Sequence, residues 1–181
     1  MMADRLFTNP VTGDTLRILK TGAETNGELL EVEVQYTPAH NKPPAHYHPH
    51  QEERFEVVSG TIAVEVDGMQ RIYDPGESFI VPPGKRHAMW NAGENITQMT
   101  WQTRPALNTQ QFFETIWGLA QDEKLGANGS PNLLQGAVLM QAYADEFRLA
   151  SPPRLAQQMV FGTLAPIGRL LGYKAYYRRA D

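Results

Sequence analysis

The stretch "AHYHPHQEERFEVVSG", Ala45 to Gly60, decides the fold. It places histidines at 46, 48 and 50 and adjacent glutamates at 52 and 53. Side chains alternate across a strand, so His46 and His48 share one face. Pro49 has no N–H to donate and disfavours continuing the ladder. A turn through His50 and Gln51 brings the chain back. On the returning strand Glu53 is in phase with Phe55 and Val57, whereas Glu52 is in phase with Arg54 and Glu56. An apolar interior prefers the first set, although Val58 breaks the polarity of the second. Glu53 is therefore predicted to point inward beside His46 and His48, and Glu52 outward.

A second stretch answers the first: "GESFIVPPGKRHAMWN", Gly76 to Asn91. His87 follows the Pro82-Pro83-Gly84 break and opens a new strand, in phase with Met89 and Asn91 and away from Trp90. If the strands close a barrel, His87 converges on the same point. The surrounding sequence supports closure. "TLRILKT" (15–21), "ELLEVEVQYT" (28–37) and the runs flanking Asp67-Gly68 have partial or full period-2 alternation, and Asp-Gly is a strong hairpin signal. Many short strands with such turns predict a small barrel or sandwich.

Near Arg104–Pro105 the pattern changes. Asn108 or Thr109 is a candidate cap for a helix over "QQFFETIWGLAQDEK". Ser130-Pro131 and Ser151-Pro152 read as N-cap and N1 pairs for "NLLQGAVLMQAYADEFRL" and "PRLAQQMVFGTLAPIGRLLG". In the last of these, Leu155, Met159, Val160, Leu164, Ile167, Leu170 and Leu171 fall on one face, predicted as the packing face. Pro166 is predicted to kink or break that helix. The chain thus divides into a β unit over 1–105 and a helical extension over 106–181 that packs on the barrel or on a second subunit.

Composition narrows the function. The chain has 181 residues, 41% hydrophobic and 20% charged, with a net charge of −4, so nothing favours a nucleic-acid binder. No cysteine is present, which excludes disulfides and thiolate ligands. "MMADRLFTNP" has no apolar core of a signal peptide, and no spanning run occurs, so a cytoplasmic protein is expected. From Ser151 onward five basic residues face one acid, interleaved with Tyr173, Tyr176 and Tyr177. An interfacial membrane helix reads in that way. Gln157, Gln158 and Pro166 dilute the pattern, and packing against protein is the favoured expectation. "GANGS" near Gly126 lacks the lysine and preceding strand of a phosphate loop.

The two histidine stretches resemble the paired motifs of the cupin superfamily. The first reads His46-x-His48-x4-Glu53-x6-Gly60, and the second Gly76-x5-Pro82-x-Gly84-x2-His87-x3-Asn91. The one departure is His40, a loop position where the family has a leading glycine. The resemblance implies an RmlC-like jelly-roll β-barrel with six strands in each sheet, followed by the helical segment. It also implies one divalent metal ion per chain (Fe, Mn, Ni, Cu or Zn) held by His46, His48, Glu53 and His87. Four protein ligands leave two positions of a six-coordinate ion open to water, O₂ or substrate. His50 is expected to be a solvated loop residue, with a place behind the ligands as the alternative. Parity lines the pocket with Phe55, Val57 and Met89, and Phe79, Met99 and Trp101 are further candidates with no residue to anchor their phase; together they suit a small hydrophobic or aromatic molecule. The resemblance includes oxygenases, isomerases and decarboxylases as well as non-catalytic binding or sensing modules. An oxygenase-like enzyme, such as a dioxygenase, is the leading expectation, and a homodimer is implied.

Overall fold

Alternation along the chain produces two facing antiparallel sheets. The computed structural model describes residues 6–38, 42–126 and 129–177. His40, Arg178, Arg179 and Asp181 lie outside those residues. The first sheet contains β1 (Leu6–Thr8), β2 (Thr15–Lys20), β3 (Leu30–Tyr36), β5 (Glu52–Ser59), β8 (Ser78–Val81) and β10 (Thr97–Arg104), in the order β1-β2-β3-β10-β5-β8. The second contains β4 (His46–Tyr47), β6 (Ile62–Val66), β7 (Met69–Tyr73), β9 (His87–Trp90) and β11 (Arg148–Leu149), in the order β11-β4-β9-β6-β7. Among the described residues the second sheet therefore has five strands rather than six. One of the five comes from beyond the barrel sequence.

Parity governs the core. On β5 Glu53, Phe55 and Val57 are buried, while Arg54 and Glu56 are exposed and Glu52 is half-buried. β3 buries Leu30, Val32 and Val34 in the same manner. These residues join Leu16, Ile62, Val64, Val81 and Met99 in one apolar interior between the sheets. The β6–β7 hairpin turns through Asp67 and Gly68 at φ +48° and +86°, the left-handed pair that a two-residue hairpin requires. Gly60 has φ +72°, and a Cβ there would meet the Ile96 carbonyl oxygen at 2.6 Å, so a side chain is excluded by both conformation and space.

The helical region departs from expectation in four places. Helix α1 (Thr109–Gln121) starts at Asn108, but that side chain does not cap it; its Nδ2 donates to Glu146 Oε1 instead. Helix α2 (Leu133–Ala142) is capped by Asn132, whose side chain accepts from the Gln135 N–H, and not by Ser130. The helix predicted to run through Leu149 stops at Ala142, and Arg148–Leu149 become β11. Helix α3 (Arg154–Leu170) follows Pro153 rather than Ser151 and runs on past Pro166 without ending.

The largest difference is the face that α3 buries. Gln157, Ala165 and Gly168 are its buried residues, and Phe161 and Leu164 pack beside Ala137 and Val138 of α2. A Cβ on Gly168 would lie 2.9 Å from Val138 Cγ2 and 3.0 Å from the Leu134 carbonyl oxygen. Small residues let the two helix backbones approach. The predicted aliphatic stripe, Leu164 excepted, is turned outward. After α3 the chain returns to α1. Tyr177 N–H donates to Thr115 Oγ1 at 3.1 Å, and Tyr176 Oη donates to Glu114 Oε2 at 2.7 Å. Buried Gln51, expected only as part of a turn, ties barrel to α1 by donating to Pro105 O and Thr109 Oγ1.

Candidate metal centre

Strand pairing brings the histidines together. β4 lies between β9 and β11, with His46 opposite His87 in the ladder and opposite Leu149 on its other side. His48 follows one residue beyond β4, and its carbonyl accepts from Gly84 N–H at 2.8 Å, which fastens the Pro-Pro-Gly turn to the histidine segment. One ligand nitrogen from each of His46, His48 and His87 lies within 4.8 Å of the others. The imidazole ring centroids are 4.3 to 5.3 Å apart.

Glu53 enters from the opposite sheet. Its Oε2 lies 3.1 Å from Nε2 of both His48 and His87. Its other oxygen, Oε1, accepts a hydrogen bond from Trp101 Nε1 at 3.1 Å. Trp101, expected only to line a pocket, thereby orients the carboxylate. Burial opposes charge on Glu53, but the adjacent His48 and His87 outweigh it and hold the carboxyl well below its ordinary range. Burial likewise acts to lower His48, yet the Glu53 carboxylate prevails and raises it. His46, hemmed in by burial and by the charges of His87 and His48, is pushed down to about 3.

The donor set fits a metal ion. His48 Nδ1 lies 2.5 Å from the Glu146 carbonyl oxygen, and His87 Nδ1 lies 3.1 Å from that of Lys85. His46 has a backbone hydrogen bond to Pro44. With Nδ1 committed in this way, His48 and His87 present Nε2 inward, which is how ligating imidazoles are held. His48 Nε2, His87 Nε2 and Glu53 Oε2 are buried and have no hydrogen-bond partner outside their own cluster. Buried polar atoms are rarely left so, and three of them aimed at one point suit a shared cation.

The other sequence-predicted residues sort themselves by position. Phe55, Val57, Phe79 and Met99 are buried, and Met89 and Trp101 pack against them. Phe55 stacks on Phe79 with centroids 4.8 Å apart, so much of this wall is filled by its own rings. His50 is exposed, 3.8 Å from the equally exposed Asp145, and does not stand behind the ligands. Asn91 locks the β9–β10 connection, donating to the Tyr36 and Asn95 carbonyls and accepting from Gly93 N–H.

Two residues at the centre escaped the sequence reading. Phe147 stacks on His46 at 4.6 Å and meets His48 edge-on at 6.1 Å. Glu146 supplies the carbonyl to His48, while its carboxylate accepts from Asn108 N–H and Nδ2. The alternation of Phe147 and Leu149 was the available signal, but it sits in a segment with the composition of a helix end.

Comparison with known proteins agrees with the geometry. Residues 32–102 match the cupin domain family. This is a cupin. An RmlC-like cupin from Shewanella frigidimarina shares its fold, with a TM-score of 0.50 and 22% identity over 60% of this chain and 89% of that one. A protein named as an oxidoreductase in Arthrobotrys oligospora is 29% identical over 150 residues, covering 75% of this chain and 58% of its own length. A protein named as a probable oxidoreductase in Hypocrea virens is 30% identical over 148 residues, covering 75% and 66%. The cupin thus spans about three-fifths to two-thirds of these relatives. A 75% share of this chain exceeds what the barrel alone holds, so the likeness reaches into the helical extension.

Proposed function

We propose that this cupin is a mononuclear metal-dependent oxidoreductase acting on a small, predominantly apolar or aromatic organic molecule. The observation that carries the reading is the convergence of buried ligand atoms with no hydrogen-bond partner outside their own cluster: His48 Nε2, His87 Nε2 and Glu53 Oε2. His46 joins them through its place in the imidazole cluster. Three imidazoles and a carboxylate suit a divalent first-row metal, and without cysteine no thiolate competes. When bound, such an ion supplies a Lewis acid and, if redox-active, a route for electrons between substrate and oxidant.

The chain's own residues do the rest. His46, His48, His87 and Glu53 hold the ion, and Trp101 keeps Glu53 turned toward it. The backbone carbonyls of Glu146 and Lys85 keep the His48 and His87 rings oriented. Phe147 covers one side of His46 and keeps water from it. Phe55 and Phe79 fill the wall behind the site, and the partly buried Met89 and Trp101 beside them offer apolar surface, which favours an apolar substrate over a phosphorylated one. The oxidoreductase names of the relatives support redox chemistry over isomerisation or passive binding.

The test is elemental analysis of the purified protein, followed by oxygen uptake with a panel of phenols and diketones. About one equivalent of iron, manganese, nickel or copper with substrate-dependent uptake supports the reading. Tight binding of such compounds with no turnover under any metal would replace it with a sensing module.

A further inference from the structure

We infer that the outward face of α3 docks this cupin onto an anionic membrane surface. The observation is an inversion. Leu155, Met159, Val160, Ile167, Leu170 and Leu171 occupy an arc of roughly 160° around the helix. Four of them are 69%, 62%, 88% and 66% exposed, for Leu155, Met159, Leu170 and Leu171 in turn. The remaining positions within that arc are Ala156, Thr163 and Pro166, so it contains no charge. A contiguous aliphatic face of this kind marks an interaction site rather than ordinary surface. The face is not left over from poor packing, because α3 already buries its opposite side against α2 through Ala165 and Gly168.

Charge identifies the occupant. From Arg148 onward the chain has six basic residues and one acidic residue, whereas the preceding residues have ten basic and nineteen acidic. From Phe147 to Tyr177 there is no acid at all. Arg154, Arg169 and Lys174 are exposed around the two ends of α3. A second copy docked face to face would set one basic segment against another. An acidic lipid surface takes the aliphatic side chains into its acyl boundary and pairs the basic residues with its headgroups. Tyr176 and Tyr177 are engaged elsewhere, in hydrogen bonds to α1. The helix lies on the membrane and does not cross it, since no helix among the described residues is long and apolar enough to span.

The experiment is cosedimentation of the full chain with phosphatidylcholine vesicles, with and without phosphatidylglycerol, at low and high salt. Association is expected with the anionic vesicles, weakening as salt rises. Met159→Glu with Leu170→Glu is expected to weaken it about tenfold or more, with metal content and Tm unchanged because both side chains are already exposed. Arg154→Gln with Lys174→Gln is expected to weaken binding to anionic vesicles only. No association of the native chain with either vesicle overturns the inference, as does association that the Met159/Leu170 pair leaves untouched. If light scattering instead shows the native chain to be a dimer that this pair converts to monomer, without vesicle binding, a second copy covers the face.

Discussion

The barrel and the helical extension obey the same hydrophobic rule with opposite results. On β5 the apolar phase points inward, as parity requires, and takes Glu53 with it. On α3 the longest aliphatic stripe points outward, and the buried side is formed by Ala165, Gly168 and Gln157. A strand between two sheets has two faces, and only one of them meets the core. A helix on a surface is free to present any side, and close approach of backbones rewards small residues as well as large ones. Periodicity therefore fixes the inward set of a barrel strand, but it shows only that a helix has two unlike sides.

Substitutions test this contrast. The largest effect is expected in the barrel. His46→Ala with His48→Ala should abolish stoichiometric metal, a loss exceeding the roughly 10- to 100-fold typical of residues that merely support ligands; elemental analysis after dialysis checks it. In the extension, Gly168→Ala should cost about 1–3 kcal/mol, because the added methyl meets Val138 and the Leu134 carbonyl. Denaturant unfolding measures that cost, and an unchanged midpoint would mean that α2 and α3 are not packed at this point. Trp101→Phe keeps an aromatic ring but removes the donor to Glu53. It should lower metal affinity about tenfold, read by competition with a chelator. Met159→Gln should change stability by less than about 0.5 kcal/mol, the range for surface sites. A large loss there would mean that the aliphatic side of α3 is the packed one.

The metal centre also predicts a pH dependence with opposite signs for two forms. Glu53 is lowered from 4.5, so without metal its contribution to stability is present above that value and is lost as pH falls through its folded range. His48 is raised from 6.5, so its contribution is full below that value and is lost as pH rises through its folded range. The metal-free pair therefore stabilises most between about 4.5 and 6.5. Bound metal needs His48 neutral, so the increase in Tm on adding metal should grow as pH rises from 6 toward 8. A metal-induced shift that is flat across that interval would remove His48 from the ligand set.

How much of the centre was legible follows from how its residues are arranged in the chain. His46, His48 and Glu53 sit at spacings that strand parity converts into shared faces, and His87 is marked by the Pro-Pro-Gly turn before it. Glu146 and Phe147 lie about one hundred residues from His46 and His48. Their roles rest on a backbone carbonyl and on a ring stacked across β11, neither of which has a local pattern. Composition around them favours helix, and pairing with β4 overrides it. Trp101 was legible only as a candidate pocket residue, because its phase and its hydrogen bond to Glu53 both depend on the register of β10 against β5, which the sequence does not specify.

Local pattern was enough for the alternating strands, the hairpin at Asp67-Gly68, the inward phase of Glu53 and the choice of histidines. Each of these depends on neighbours two residues apart or on a turn that only certain residues allow. Tertiary structure decided which sheet β11 joins, how the carbonyl of Glu146 meets His48, and which side of α3 is covered. Those outcomes depend on contacts between distant segments, where the cost of leaving polar groups unpaired and the fit of small residues outweigh local preference.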